Sequence, residues 1–360
     1  MVTDERVFAG LAPEWGRLYR RCATATPFQS HAWLHSWWLS YGVSGRLRLV
    51  LVRDADGELL AAAPLMRVHR PVPAWVTLGG AISDYGDVLL DDRDTGRAAD
   101  ALTEGLSRAA RGAVIDFREV RPGGAVERVY ARWRGPRRRV RDSLCLELPA
   151  RPMDELLTRL PAQRAQRVRA KLRKLTALGI AHRVVGPEDV DAALRALLEL
   201  HRLQWRGRKV TSEHLRPRFA EHLVRSVGRM VRSGDARVTE FRLEDRVVAV
   251  DVTLMSPRLA GGYLYGADPR LRELKADVAT MLLDACAERT AAGGHRVLSL
   301  LRGDEPYKHP WRPGTVVNQR LLLARRRTAV LMSAVLAAVA ARDRGKELLN
   351  RWRRRGDARS

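Results

Sequence analysis

The alternation of apolar and polar residues divides the chain into two halves with a similar order of predicted elements. Asp56 and Gly57, which lie between two apolar runs, are typical of a hairpin turn. In the first half, helical spacing of apolar residues predicts helices at 27–41 and 97–111, and short apolar or alternating runs predict strands at 47–53, 59–68, 75–78, 87–90, 113–117 and 143–148.

The second half repeats this order after an opening segment at 153–160. Its first long helix is Arg-rich and ends at Gly179, a residue typical of helix C-termini. The pattern predicts helices at 162–178, 188–206, 218–233 and 275–292, and strands at 180–185, 236–243, 246–255, 260–267 and 297–301. The repetition predicts an α+β protein with two related units rather than one βαβ sheet.

We place the first unit at 1–150 and the second at 151–325, where the basic helix 162–178 opens the second unit. A basic helical tail follows at 326–360. We expect mixed, mainly antiparallel sheets, because the strands from 236 to 267 follow one another through short connections.

The segment 27–41 is unusually aromatic. Trp33, Trp37 and Trp38 follow the i, i+3 and i+4 spacing of one helix face, so we expect them in the core. Ser30 precedes this stripe and suits the N-cap position. His31 and His35 are also one turn apart, but no third ligand accompanies them, and the sequence predicts no metal site.

The positive charge of the chain is concentrated in three segments. The formal net charge is +24, and 59 of the 65 basic residues are Arg. Segment 128–141 holds seven basic and no acidic residues, segment 159–183 holds eight and none, and segment 325–360 has a net charge of +8. Such segments attract phosphates, anionic polymers or acidic lipid head groups without choosing among them.

Several classes of protein are excluded by what the sequence lacks. Cys22, Cys145 and Cys286 are odd in number and far apart, which fits neither a disulfide scaffold nor a zinc site. The N-terminus has no apolar stretch after a basic start, so we expect a cytoplasmic protein rather than an exported one.

The apolar run 328–341 is the best candidate for membrane contact. As a helix, its fourteen residues would rise about 21 Å, short of the roughly 30 Å of a bilayer core. We expect this helix to pack on the body of the protein. Its Arg-rich flanks leave open a peripheral contact of 325–360 with the inner face of the membrane.

Three passages of the sequence resemble one family when they are taken together. They are TPFQSHAWLHSWWLSYG at 26–42, GGAISDYGDVL at 79–89 and RGDEPYKHPW at 302–311. These passages are similar to motifs of the GCN5-related N-acetyltransferase (GNAT) superfamily. More narrowly, they resemble its tandem BioF2-like or cellulose-biosynthesis (CelD, BcsL) type, which is related to the FemAB peptidyltransferases. The resemblance spans about residues 20–320.

The resemblance implies two tandem GNAT-like units and transfer of an acyl group from acyl-CoA to an amine of a sugar, a peptide or a small molecule. The donor would bind the second unit without a metal. The strand edge at 262–266 would then hold the pantetheine, and the N-terminal end of the following helix, near 270–277, would hold the pyrophosphate. The implied cofactor-binding residues are Gly262, Arg270, Arg272 and Lys275.

The resemblance also assigns roles to candidate site residues. Lys308 could bind a phosphate or carboxylate or stabilise the developing oxyanion, and Tyr307 could protonate the departing thiolate. If Asp251 faces inward, it could act as a base or bind the acceptor. The candidates for acceptor binding are Asp84, Tyr85, His201, Trp205 and Tyr265.

The donor loop of this chain leaves two alternatives open. Residues 270–276 read RLRELKA and lack the Gly-rich phosphate loop of the family. One alternative is a FemAB-like transferase that uses aminoacyl-tRNA. The other is a catalytically degenerate GNAT-like protein that binds an anionic polymer or nucleic acid. Because no zinc-finger or RNP motif is present, the sequence does not predict specific nucleic-acid recognition.

Overall fold

A computed structural model describes residues 1–69, 71–204 and 212–357. Twelve strands of these residues join into one sheet. The strands are β1 Leu47–Arg53, β2 Leu59–Val68, β3 Ala74–Thr77, β4 Leu89–Leu90, β5 Val114–Val120, β6 Arg137–Pro149, β7 Ala181–Val184, β8 Ala236–Leu243, β9 Arg246–Met255, β10 Leu259–Ala267, β11 Val297–Arg302 and β12 Gly314–Leu323.

Twelve α-helices of the described residues cover this sheet. They are α1 Glu5–Gly10, α2 Ala12–Arg21, α3 His31–Tyr41, α4 Thr95–Ala109, α5 Val126–Arg132, α6 Met153–Thr158, α7 Ala162–Ala177, α8 Val190–Gln204, α9 Pro217–Arg232, α10 Arg270–Glu273, α11 Val278–Ala292 and α12 Ala329–Asp357.

The strand order shows that the two halves of the chain share the sheet. It runs β1-β2-β3-β5-β12-β6-β11-β10-β9-β8-β7, and β4 pairs with β2. Neighbouring strands are antiparallel except β3 with β5 and β10 with β11, one parallel pair in each half. The predicted α+β class with two similar units and mainly antiparallel pairing is therefore confirmed.

The two halves exchange strands at the centre of the sheet. Strand β6 leaves the first half and pairs with β11, while β12 returns from the second half and pairs with β5. The exchanged strands β6 and β12 also pair with each other, from Glu147 opposite Gly314 to Arg137 opposite Leu323. Each half therefore completes the sheet of the other, and the boundary at residue 150 stays a prediction.

Two parts of the exchange differ from the sequence-based prediction. Strand β6 begins at Arg137, within the basic segment, six residues before the predicted strand at 143–148. Strand β12 was not predicted at all, although its last three residues, Leu321–Leu323, are fully buried.

The aromatic helix α3 joins the halves on one face of the sheet. Its Ser30 side chain accepts a hydrogen bond from the Trp33 amide, which confirms the predicted N-cap. Trp33, Trp37 and Trp38 are all buried, as predicted. Helix α3 packs on α9 of the second half, where the Trp33 ring lies 4.5 Å from the ring of His222.

The C-terminal helix α12 packs against strands β5 and β12. Met332 and Val335 are buried against Val114 and Leu322 of β5 and β12, as expected for a helix that packs on the body. Its outward Val330 is 74% exposed. No helix in the described part of the chain combines the length and apolarity needed to cross a bilayer.

Removing a large side chain next to the exchange should destabilise both halves together. Phe117 of β5 is fully buried opposite Leu321 of β12. We expect Phe117→Ala to lower the free energy of unfolding by about 3–5 kcal/mol, while urea unfolding stays one transition by fluorescence and circular dichroism. Val330→Ala is the exposed control. Two separate transitions in the Phe117 variant would contradict a shared sheet.

Candidate functional site

The parallel strands β10 and β11 separate soon after they meet. They pair only from Leu259 opposite Val297 to Gly261 opposite Ser299. Beyond these three pairs, β10 continues along β9 and β11 continues along β6. The result is a fork in the sheet, a place where main-chain groups of two strands face an opening instead of each other.

Both strands are irregular at the point where they separate. The pairing of β10 with β9 shifts between Gly262 and Leu264, which makes Tyr263 an extra residue in β10. The pairing of β11 with β6 shifts between Ser299 and Arg302, and Leu301 there has a positive φ of 57°. Such bulges bend a strand and interrupt its ladder of hydrogen bonds.

Close packing requires glycine at two positions of β10 beside the fork. A Cβ on Gly261 would lie 2.7 Å from the carbonyl oxygen of Ser299, and one on Gly266 would lie 2.3 Å from that of Leu197. Strand β11 and helix α8 therefore approach the backbone of β10 more closely than any side chain there would allow.

A cavity of about 130 Å³ occupies the fork. Its apolar wall is formed by α11, with Leu282 and Leu283, and by Leu298 and Leu300 of β11. We call this cavity the slot. Five residues that the sequence singled out also line it, namely Asp251, Gly262, Tyr265, Tyr307 and Lys308.

Asp251 is a buried carboxyl group in the slot. It is 7% exposed and accepts a hydrogen bond of 3.0 Å from the Thr253 hydroxyl. Burial, partly opposed by that hydrogen bond, raises the pKa of Asp251 from 3.8 to about 7. The group can therefore take up or release a proton near neutral pH.

Lys308 brings a positive charge to the slot. It is 5% exposed, and its Nζ lies 2.7 Å from the carboxylate of Glu305. The same Nζ donates to the carbonyl oxygens of Arg302 and Gly303, at 3.2 and 3.4 Å. Tyr307 is 53% exposed, so one side of its ring remains in solvent.

A second, larger cavity adjoins the slot at the N-terminal end of α11. It measures about 700 Å³ and shares Tyr265 and Ala279 with the slot. Lys171, Arg272 and Lys275 line it and supply positive charge. We call it the basic cavity. Arg270 is exposed and does not line either cavity.

Helix α11 begins three residues later than the sequence predicted. Lys275 has a φ of 53°, so the chain turns there between α10 and α11. Asp277 then caps α11 by accepting a hydrogen bond of 2.9 Å from the amide of Thr280. Its carboxylate also pairs with Lys171 at 2.7 Å. This carboxylate occupies part of the space where a pyrophosphate would approach the helix end.

The corresponding helix of the first half is unsuited to an anion. Helix α4 is preceded by Asp91, Asp92 and Asp94, and Asp94 is its N-cap. Asp91 is fully buried and pairs with Arg21 at 2.7 Å. Arg21 and Arg93 neutralise Asp91, but Asp92 and Asp94 still disfavour phosphate at this helix end, so the basic cavity, where three basic residues accompany two carboxylates, is the better place for an anionic group.

Residues 83–85 of the first half, the sequence SDY, lie next to the slot. The Tyr85 hydroxyl lies 2.9 Å from that of Ser299, a residue that lines the slot. Asp84 pairs with Arg302 at 3.2 Å. Burial raises the pKa of Asp84 to about 6, although the positive charge of Arg302 acts in the opposite direction.

On the far side of Tyr85 lies a polar cavity of about 430 Å³. Arg118 and Arg302 line it together with Glu119, which pairs with Arg302 at 3.1 Å. Arg342 of α12 completes the lining. Arg302 lies in the passage 302–311 but was not among the predicted site residues, and neither were Glu119 and Ser299, because the contacts of these residues join the two halves of the chain.

Three acceptor candidates, Asp84, His201 and Trp205, either line none of these cavities or lie outside the described residues. His201 of α8 is 6% exposed, and its Nδ1 lies 2.8 Å from the carbonyl oxygen of Tyr265, which accepts the hydrogen bond. It supports β10 from behind and does not line the slot. Trp205 lies outside the described residues.

The three cysteines are free and buried. Cys286 lines the slot, and burial raises the pKa of its thiol to about 12, so the thiol stays protonated. Across the described ranges, no group of three or more His, Cys, Asp and Glu side chains could hold a metal ion.

Comparisons with known proteins agree with this geometry. Residues 162–309 match the family model of the acetyltransferase (GNAT) domain, which contains both strands of the fork. No curated protein matches the chain. This matched stretch, which lies in the second half of the chain, is therefore similar to a GNAT domain.

Solved structures extend the likeness to nearly the whole chain. FemX is 11% identical over 92% of this chain and 98% of its own, with a TM-score of 0.62. L-PGS from Bacillus licheniformis is 12% identical over 93% and 96%, with a TM-score of 0.55. A conserved protein from Bacteroides thetaiotaomicron is 10% identical over 88% and 97%, with a TM-score of 0.60. At these identities, the likeness shows a common fold.

Replacing Asp251 by Asn should flatten the pH dependence of the free energy of unfolding. A carboxyl group whose pKa rises on folding from 3.8 to about 7 stabilises the protein fully below its unfolded pKa, and this contribution is lost as the pH rises through 7. Between about pH 4 and pH 8, wild type should lose up to about 4 kcal/mol relative to the variant.

Urea unfolding across this pH range measures the difference. Asp245→Asn is the matched control, because Asp245 is exposed. Parallel stability curves for wild type and Asp251→Asn would show that the carboxyl group of Asp251 is not perturbed.

Proposed function

We propose that this protein is an N-acyltransferase that moves an acyl group from acyl-CoA to an amine of a sugar, a peptide or a small molecule. The observation that supports this most strongly is the forked pair β10 and β11, whose slot adjoins the basic cavity. A thioester on a long arm that ends in phosphates needs these two neighbouring spaces, one narrow and apolar and the other positively charged.

In this proposal, the CoA phosphates bind in the basic cavity. Arg272, Lys275 and Lys171 supply charge there, and Lys171 would exchange its contact with Asp277 for a phosphate oxygen. The pantetheine would pass Tyr265 and Ala279, which belong to both cavities, and pair its amides with the open edge of β10 at Gly262. The thioester would then reach the slot.

The size of the slot favours a short acyl group. A cavity of 130 Å³ has room for only about four water molecules. An acetyl or propionyl thioester fits this space, whereas a long acyl chain would meet Leu283 and Trp311.

The proposed reaction is a direct attack on the thioester. The amine nitrogen forms a bond to the carbonyl carbon, and Asp251 accepts the proton that the nitrogen loses. Lys308 and the main-chain amides of the β10 bulge stabilise the negative oxygen. The C–S bond then breaks, and the thiolate takes a proton from Tyr307, which regains one from solvent. The products are an amide and the CoA thiol.

We propose that the acceptor enters from the polar cavity of the first half. Tyr85 lines this cavity, Ser299 lines the slot, and the hydroxyl groups of the two residues lie 2.9 Å apart. Asp84 could bind the amine of the acceptor, and Arg118 or Arg342 could hold an acidic group on it. His201 would act indirectly by supporting Tyr265.

A second candidate donor is aminoacyl-tRNA. Its support is Asp277, whose carboxylate caps α11 where the pyrophosphate of CoA would bind. The finer assignment to the BioF2-like or CelD type rests on the three sequence passages. We propose a cytoplasmic location, since the three free, buried cysteines fit a reducing compartment.

Blocking the junction of the slot and the basic cavity should abolish donor binding. Ala279 lies at this junction, near the start of α11. We expect Ala279→Trp to weaken acetyl-CoA binding at least about tenfold in calorimetry, since the indole would fill the path of the pantetheine. Ala292→Trp, at the exposed end of the same helix, should bind as wild type does.

Acetyl-CoA should also bind more tightly than an octanoyl thioester. Unchanged binding in Ala279→Trp would remove the slot from the donor site. If wild type bound no acyl-CoA but accepted an aminoacyl-tRNA, the second candidate would replace the first.

Removing the charge of Lys308 should slow the reaction and leave donor binding intact. Lys308→Met keeps most of the side-chain volume, and we expect kcat to fall about 100-fold, as on loss of an oxyanion-stabilising group. Thiol release from acetyl-CoA in the presence of a panel of amines measures kcat. Wild-type turnover in Lys308→Met would exclude Lys308 from the reaction.

A further inference from the structure

A large cavity lies away from the slot, on the surface of the first half. It is an open groove of about 1130 Å³. One wall is the polar face of α4, with Thr103 and Ser107, and the other is formed by 132–135 and 324–327. We call it the Arg groove, because six arginines line it.

The Arg groove exists because the strand exchange joins two distant basic segments. Strands β6 and β12 pair so that Arg137 lies opposite Leu323. This pairing brings 132–135, which precede β6, next to 324–327, which follow β12. The Trp133 indole donates to the carbonyl oxygen of Ala324 at 2.8 Å and fixes the two segments. Two of the three basic segments in the sequence thus form one surface.

Most of the positive charge in the Arg groove has no acidic partner. Arg132 pairs with Asp100 at 2.6 Å, and Arg108, just beside the groove, pairs with Glu104. Within the described ranges, the five other arginines make no ion pair: Arg111, Arg134, Arg325, Arg326 and Arg327. Clustered guanidinium groups repel one another, so a bound anion would relieve this repulsion.

The shape of the Arg groove distinguishes between anionic partners. A bilayer is flat and would touch only the rims of a concave groove. A linear chain can lie along the groove floor, where each phosphate meets a guanidinium in bidentate geometry.

We propose that the Arg groove binds a linear phosphate polymer through its backbone charges. The chemistry is shared by a single-stranded nucleic acid and by polyphosphate. No base-specific contact is part of the proposal, since the one aromatic side chain in the groove, Trp133, is 5% exposed and cannot stack on a base. The site is separate from the slot and does not depend on acyl transfer.

The test measures binding of a fluorescein-labelled single-stranded oligonucleotide by anisotropy at increasing salt. In the triple variant Arg325→Ala, Arg326→Ala, Arg327→Ala, we expect affinity to fall at least about tenfold and the slope of log K against log salt to fall by about 2. Acetyl-CoA binding should stay unchanged. Unlabelled polyphosphate should compete fully with the oligonucleotide if phosphates alone are recognised.

The matched control removes the same charge from another exposed basic surface. It is Arg167→Ala, Arg169→Ala, Arg173→Ala on α7, and it should keep affinity within about twofold of wild type. Equal losses in both triple variants would overturn the proposal, because net charge alone would then explain binding. Binding to phosphatidylglycerol vesicles without binding to either polymer would also overturn it, in favour of a membrane partner.

Discussion

The antiparallel pairing of β6 with β12 is the constraint on which the rest of this structure depends. It places a strand of each half beside the parallel pair of the other half, so β11 is held by β6 on one side while β10 leaves it on the other. The same pairing carries Asn318 to within 3.1 Å of both the Asp84 carbonyl oxygen and the Glu119 carboxylate. Fold, slot and polar cavity are therefore consequences of one exchange.

The two halves have a similar order of elements but differ in the charged residues near the starts of α4 and α11. In the proposed function, this difference distinguishes the donor half from the acceptor half. Asp91, Asp92 and Asp94 precede α4, whereas at the start of α11 the carboxylates Asp268 and Asp277 are accompanied by Lys171, Arg272 and Lys275. An anionic donor is repelled from the first and attracted to the second. The first half instead contributes Tyr85, whose hydroxyl contacts that of Ser299 in the slot, and Asp84, which pairs with Arg302. In the proposed function, the second half would supply the donor site and the first half would supply contacts for an acceptor.

The sequence predicted the helices and strands that a local pattern of apolar residues identifies. Helical spacing identified α3 and its buried tryptophans, and alternation identified β8, β9 and β10, because periodicity reports burial within one element. It could not predict the exchange, since pairing between residues about 175 positions apart leaves no local signal. Strand β12 follows the passage 302–311, whose polar residues were interpreted as part of a site, and no strand was predicted after it. The cluster of Arg302, Glu119 and Ser299 was missed because its members come from both halves.

Hydrogen exchange with a hydrolysis-resistant acetyl-CoA analogue tests the central claim, that the fork between β10 and β11 is the donor site. If the fork is the donor site, amide exchange will become slower in 259–267 and in the first turns of α11, with no change in β3 and α4. Slower exchange confined to β3 and α4 would contradict the account and move the donor to the first half. No change anywhere in the chain would remove acyl-CoA as the donor.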